Sequence, residues 1–184
     1  MGVLLEEMFT VKRISIFLFM FVFSMSVFAL EVGETAPDFS LQGTDGKTHS
    51  LADYRGKQAV ILAWFPKAYT SGCTLECKSL AENGHLLKKF EAIYFMASVD
   101  PIEENKGFAK KEKADFPLLS DPTKEVAKAY DVLSEKGYAV RHTFYIGKDG
   151  KILAIDRDVR PAQSAQDMAE MLAKLKVPVL DQEQ

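Results

Sequence analysis

The chain has 184 residues, 47% of them hydrophobic and 27% charged, with a formal net charge of −3. These values suit a globular chain that buries a core, and the length favours one domain. An acidic balance with no long basic run excludes a polybasic surface for nucleic acid or membrane. No internal repeat or low-complexity block is present.

Lys12-Arg13 precedes the uncharged apolar run ISIFLFMFVFSMSVFAL, which reaches Val27-Phe28-Ala29. Small residues at −3 and −1 fit signal cleavage, so residues 1–29 read as a signal peptide removed after Ala29. The alternative is an uncleaved anchor over residues 14–30. That run is slightly short of the roughly 20 residues a span needs, and serines interrupt it. No cysteine stands at the boundary to carry a lipid. Glu6 and Glu7 are unusual in a leader's first region, and a start at Met8 would give a cleaner one. Residues 30–184, read as a single domain, keep the net −3. Export places them in an oxidising compartment, where nearby cysteines readily pair.

After the leader, APDFSLQGTDGKTHSL alternates around Asp45-Gly46 and predicts a β-hairpin. QAVILAWF, residues 58–65, is a continuous apolar run rich in β-formers, as in a strand buried on both faces. Residues 73–90 carry leucines and Phe90 near helical spacing. AIYFMASV, 92–99, is a second buried strand, and Asp100-Pro101 opens a polar helix to about Lys113. This strand–helix–strand unit requires parallel strands and a right-handed crossover. FPLLSD is a short strand, and Asp121-Pro122 resembles a helix start for TKEVAKAY. RHTFYIGKDGKILAID, 141–156, is a hairpin turning at Asp149-Gly150, and residues 162–175 form an amphipathic helix. The order predicts one α/β domain: a central mixed β-sheet flanked by helices, with an N-terminal β-hairpin.

Both cysteines, Cys73 and Cys77, lie in FPKAYTSGCTLECKSL. Cys73 falls where the loop after a buried strand enters a helix, at the strand's carboxyl end, where open α/β sheets collect ligands and reactive groups. The unpaired N–H groups and positive dipole end of a first helical turn favour a thiolate, the nucleophilic form. Pro66, Thr70, Ser71 and Gly72 supply a bend, hydroxyls and room for a small substrate. A structural staple is a weaker reading, because closing so short a loop stabilises by only about 2 kcal/mol. Cβ atoms at i and i+4 of an intact helix are also about 5–6 Å apart, against roughly 3.5–4.5 Å in a relaxed disulfide. Bonding therefore requires the first turn to unwind, and the product is strained and reducible. Zinc sites use shorter cysteine spacings and further ligands, whereas His49, His85 and His142 form no local cluster. Redox chemistry is favoured, with the structural and metal readings still open. Arg141, opening the second hairpin, is the leading cation to stabilise a thiolate, although a surface arginine is the simpler reading on spacing alone.

Pro66, Thr70 and Cys73 reproduce the P-x-x-x-T-x-x-C motif, and the chain resembles the peroxiredoxins, most closely the PrxQ (bacterioferritin comigratory protein) subgroup. VGETAPDFSLQGTDGKTHSLADYRGK is similar to the family's opening and RHTFYIGKDGKI to its R-x-[ST]-F hairpin. The resemblance implies a thioredoxin-like fold and a thiol peroxidase needing neither cofactor nor metal. It makes Cys73 the peroxidatic cysteine, attacking a peroxide oxygen and becoming a sulfenic acid. Thr70 would hydrogen-bond thiolate and peroxide, and Arg141 would lower the thiol pKa and stabilise the departing oxygen. Pro66 would shield the sulfur, and the Gly72 and Cys73 amides would complete the donors. Glu76 matches an acidic position that orients an arginine, for which Arg160 is a weak candidate partner. Cys77 would resolve the sulfenic acid as an intramolecular disulfide. The commoner PrxQ pattern has four residues between the cysteines and this chain three, so an external thiol is the alternative resolver. The implied partners are a peroxide, hydrogen peroxide or an organic hydroperoxide, and a thioredoxin-like reductant in the periplasm. A resolving cysteine in the same chain implies a monomer or weak dimer, with no stable membrane association after leader cleavage. The rival readings are an exported thioredoxin-like disulfide oxidoreductase, whose usual C-x-x-C is missing, and a redox sensor.

Overall fold

The computed structural model describes residues 30–180; the leader, its cleavage point and the choice of start lie outside the described residues. Its centre is the strand β3, Ala59–Trp64, in which all six residues are buried. Successive side chains point to opposite faces of a strand, so this one run supplies two cores. Ile61 and Ala63 face one core together with Phe65, Leu80, Phe108, Met168 and Leu172. Val60, Leu62 and Trp64 face the other with Phe39, Leu51, Ala127, Tyr130 and Phe144. A continuous apolar run here means burial on both sides.

Around β3 the chain builds a seven-stranded mixed sheet. The N-terminal hairpin is β1 (Ser40–Gly43) and β2 (Thr48–Ser50), with Gly46 at φ +81 in its turn. The helix α1, Ser71–Asn83, follows β3. It crosses to β4 (Ala92–Ser98), which pairs parallel to β3 with Ala59 opposite Ala92. The helix α2 (Ile102–Glu112) leads to β5 (Leu118–Ser120), parallel to β4. The short α3, Glu125–Ala129, precedes the second hairpin, β6 (Thr143–Ile146) and β7 (Ile152–Asp156), and α4 (Ser164–Lys174) closes the fold. The sheet order is β2-β1-β5-β4-β3-β6-β7, with β6 antiparallel to β3 and β1 antiparallel to β5.

Three boundaries differ from the sequence expectation. The helix expected through residues 73–90 begins at Ser71 and leaves α-helical geometry at Asn83, passing into a 3-10 turn at Gly84–Leu86. Gly84 lies against the hydroxyl end of Tyr94, where a Cβ would collide with the phenol oxygen. The helix after Asp121-Pro122 is only five residues long, because Lys124 adopts a left-handed conformation at its start. Asp121 instead caps it from upstream, accepting from the Ala127 N–H at 2.8 Å and the Thr123 hydroxyl at 2.8 Å. The last helix is preceded by a 3-10 turn at Pro161–Gln163.

Candidate active site

The site lies at the carboxyl end of β3, where the Phe65–Thr70 loop delivers the chain into α1. Thr70 has extended backbone (φ −75, ψ 154) and is the N-cap residue, but its side chain makes no capping bond. Its hydroxyl donates to the Lys67 carbonyl at 3.0 Å, which leaves the oxygen free to accept. The resemblance implies this hydroxyl on both the Cys73 sulfur and the peroxide; among the described residues it makes no bond to the sulfur. Cys73 follows in the first turn of α1, fully buried and unpaired. The amides of Gly72 and Cys73 are among the first four of the helix, which have no intrahelical acceptor.

Arg141 reaches this sulfur from across the sheet. It stands two residues before β6, whose antiparallel pairing with β3 brings Thr143 opposite Ala63, near the end of β3 where the loop starts. Its Nη2 donates to Cys73 Sγ at 3.2 Å, and its Nη1 bonds to Glu76 Oε2. The spacing of three residues puts Glu76 and Cys73 on one face of α1, so a single guanidinium bridges both. Glu76 is wholly buried, and its Oε1 has no hydrogen-bond partner among the described residues. A buried carboxylate is retained only when a cation compensates it, and here that cation is the one touching the thiol. Gly72 leaves space for this approach: a Cβ there would sit 3.1 Å from Arg141 Nη2. Pro66 is half-buried at the start of the loop.

Arg160 does not meet Glu76. Its guanidinium forks onto Asp167 at 3.0 and 2.5 Å, joining the chain before α4 to that helix. The partner of Glu76 is Arg141. Spacing could not distinguish the two, because both arginines arrive from elements remote in sequence.

Cys77 lies one turn further along α1, also fully buried and unpaired, and both cysteines belong to the same apolar core. Burial pushes the Cys77 thiol up to about 12, with the Glu112 carboxylate and then Cys73 adding to the effect. Glu112 ends α2 and faces Lys78 at 3.9 Å. Sequence reading missed Glu112, since nothing in its helix pattern says which neighbour it packs on. His49 is held in the N-terminal hairpin by Tyr54 at 2.7 Å and Asp45 at 3.1 Å.

The AhpC/TSA family model matches residues 32–155. Peroxiredoxin Bcp of Bacillus subtilis is 32% identical over 154 residues, covering 80% of this chain and 96% of its own. Peroxiredoxin Bcp of Escherichia coli is 38% identical over 130 residues, covering 67% and 83%. A mutant of Xylella fastidiosa PrxQ superposes with a TM-score of 0.73 at 25% identity, over 79% of this chain and 96% of that one. BcpB of Mycobacterium tuberculosis superposes with a TM-score of 0.70 at 28% identity, over 80% and 97%. The chain belongs to the AhpC/TSA family: it is a peroxiredoxin, a thiol-dependent peroxidase acting on peroxide, built on the thioredoxin-like fold. Within that family it is of the Bcp/PrxQ type.

Proposed function

We propose that Cys73 is the peroxidatic cysteine and Cys77 its resolving partner, re-reduced by a thioredoxin-like dithiol. The observation that carries the reading is the contact of Arg141 with Cys73 Sγ at 3.2 Å, in the first turn of α1. In the first step the Cys73 thiolate attacks the terminal oxygen of the peroxide. The S–O bond forms as O–O breaks, giving Cys73–SOH and an alkoxide or hydroxide that takes a proton. Arg141 and the Gly72 and Cys73 amides stabilise the charge on the departing oxygen. Thr70, whose hydroxyl proton is committed to Lys67, accepts from the incoming peroxide O–H. Glu76 holds the guanidinium in place, and Pro66 shields the sulfur.

In the second step the Cys77 sulfur displaces hydroxide from Cys73–SOH, which leaves as water with the Cys77 proton, and a disulfide forms. Both cysteines sit on one intact helix, four residues apart, a separation too wide for a relaxed disulfide. The first turn must open, and in doing so it brings Cys77 out of the burial that suppresses its ionisation. A dithiol reductant then restores both thiols. On this reading the protein works outside the cytoplasm after cleavage at Ala29, as a monomer or weak dimer, because Cys73 and Cys77 in one chain need no second subunit for the disulfide. Mass spectrometry after one equivalent of peroxide tests the assignment. A loss of two protons from the intact chain is expected, and retention of an added oxygen on Cys73 would remove Cys77 from the cycle. Amino-terminal sequencing of the exported protein tests the cleavage, with Leu30 expected first.

A further inference from the structure

We propose that Asp100 and Tyr69 form a two-point clamp on the loop carrying Thr70, and that they are positioning residues for the reaction with peroxide. This rests on the assignment of Thr70 to the peroxide. The loop bridges from the end of β3 to the start of α1, and two consecutive residues before Thr70 are held from outside it.

The first point is the backbone. The Ala68 N–H donates to Asp100 Oδ2 at 2.9 Å. That carboxylate is itself fixed, with the Ser98 hydroxyl 3.0 Å from the same oxygen and the Asp100 N–H on Ser98 Oγ at 3.2 Å. Ser98 is in turn held by Asn105, whose two amide N–H groups are shared among Ser120 Oγ at 2.8 Å, Ser98 Oγ at 3.1 Å and the Leu119 carbonyl at 3.3 Å, and whose Oδ1 lies 3.2 Å from the Ser98 hydroxyl. Ser98 and Asn105 are fully buried. A buried, fully connected polar network of this kind rigidifies what it touches. It ties the loop to two strands and α2.

The second point is the Tyr69 side chain. Tyr69 has φ +65, a left-handed conformation that a residue with a Cβ adopts at a cost and keeps only when its surroundings enforce it. Its ring stands edge-on to Phe108 with centroids 5.3 Å apart, and Lys111 Nζ lies 5.4 Å above it. Its hydroxyl comes within 3.5 Å of the Glu104 carbonyl. Gly107 makes room: a Cβ there would lie 2.5 Å from the phenol oxygen. All these contacts are on α2. The strained residue lies immediately before Thr70, so the ring on α2 sets where the α1 N-cap begins.

The test is stopped-flow oxidation of the reduced full chain by hydrogen peroxide, run beside alkylation of Cys73 by iodoacetamide. Alkylation needs the thiolate and Arg141 but not Thr70. Asp100→Ala is expected to slow the peroxide reaction about ten- to hundredfold, the scale of a misplacement near 1 Å. Its alkylation rate should stay within about threefold of the parent, because Arg141 and Glu76 are untouched. Asp100→Asn keeps an acceptor for the Ala68 N–H and should restore most of the rate. Gly107→Ala favours the α2 helix by propensity yet displaces the Tyr69 ring, and should slow peroxide selectively even if Asp100→Ala does not fold. A peroxide rate unchanged in both variants, or a parallel fall in both reactions, overturns the clamp. Thr70→Val separates the two levels. If it slows peroxide and the clamp variants do not, only the clamp fails; if it leaves the rate unchanged, the assignment of Thr70 fails and the clamp with it.

Discussion

Removing Arg141 should do two separable kinds of damage. Arg141→Ala strands the Glu76 carboxylate, which is wholly buried and already has one oxygen without a partner among the described residues. Deleting one member of a buried ion pair costs about 3–5 kcal/mol, which lowers the melting temperature by roughly 6–20 °C for a domain of this size. It also removes the donor to Cys73 Sγ. Losing one such donor to a developing oxyanion slows reaction by about 10²–10³. Adding Glu76→Gln removes the stranded charge while keeping the side-chain volume. The double variant should therefore recover most of the lost stability and almost none of the lost rate. Urea unfolding of the reduced protein reads the first quantity. Stopped-flow fluorescence of Trp64, fully buried on β3, during oxidation by hydrogen peroxide reads the second. If the double variant regains the peroxide rate together with the stability, the contact between Arg141 and Cys73 has no chemical role. If Arg141→Ala unfolds like the parent, Glu76 is not held as an anion by this pair.

Other expected outcomes follow from single features. Gly72→Ala places a Cβ 3.1 Å from Arg141 Nη2; the guanidinium must shift, and peroxide oxidation should slow about tenfold, with stability within about 1 kcal/mol because alanine suits a helix better. Burial pushes the folded Cys77 thiol from about 9 up to about 12, so its neutral form stabilises the fold below pH 9 and that contribution is lost as pH rises from 9 towards 12. Between pH 8 and 10 the reduced parent should lose about 1.4 kcal/mol more than Cys77→Ala, and equal losses in urea titrations would remove the burial argument. Asp121→Ala deletes the acceptor of the Ala127 N–H and the Thr123 hydroxyl; it should cost about 0.5–2 kcal/mol and leave the peroxide rate unchanged, since α3 packs in the other core.

The elements most legible in the sequence were those whose pattern is local. β3 and β4 read directly because both faces of each are covered, leaving uninterrupted apolar runs. The two hairpins read from Asp-Gly turns whose glycines do adopt positive φ, +81 at Gly46 and +79 at Gly150. The helix after β3 is expected in the right place but too long: α-helical geometry is lost at Asn83 (φ −118, ψ 13), and Gly84 beyond it lies against the Tyr94 hydroxyl from another strand, which no local pattern records. Asp100 was visible only as a helix opener. A polar residue at the carboxyl end of a buried strand was the available signal of a further role, yet its bond to Ala68 spans 32 residues and leaves no mark in either segment.

By itself the sequence determined where Cys73 would lie: a buried strand, a Pro66–Thr70 approach and a helix entry are successive along the chain, and local propensities place the thiol in a first helical turn. Only the tertiary structure decided what surrounds that thiol. Both arginines are far from Cys73 in sequence, and the antiparallel pairing of β6 with β3 chose Arg141, leaving Arg160 on Asp167. It also closed both cysteines and Glu76 off from water, through packing that local pattern does not encode. Charges and desolvation act through space, so the reactivity of this thiol pair depends on neighbours that only folding supplies.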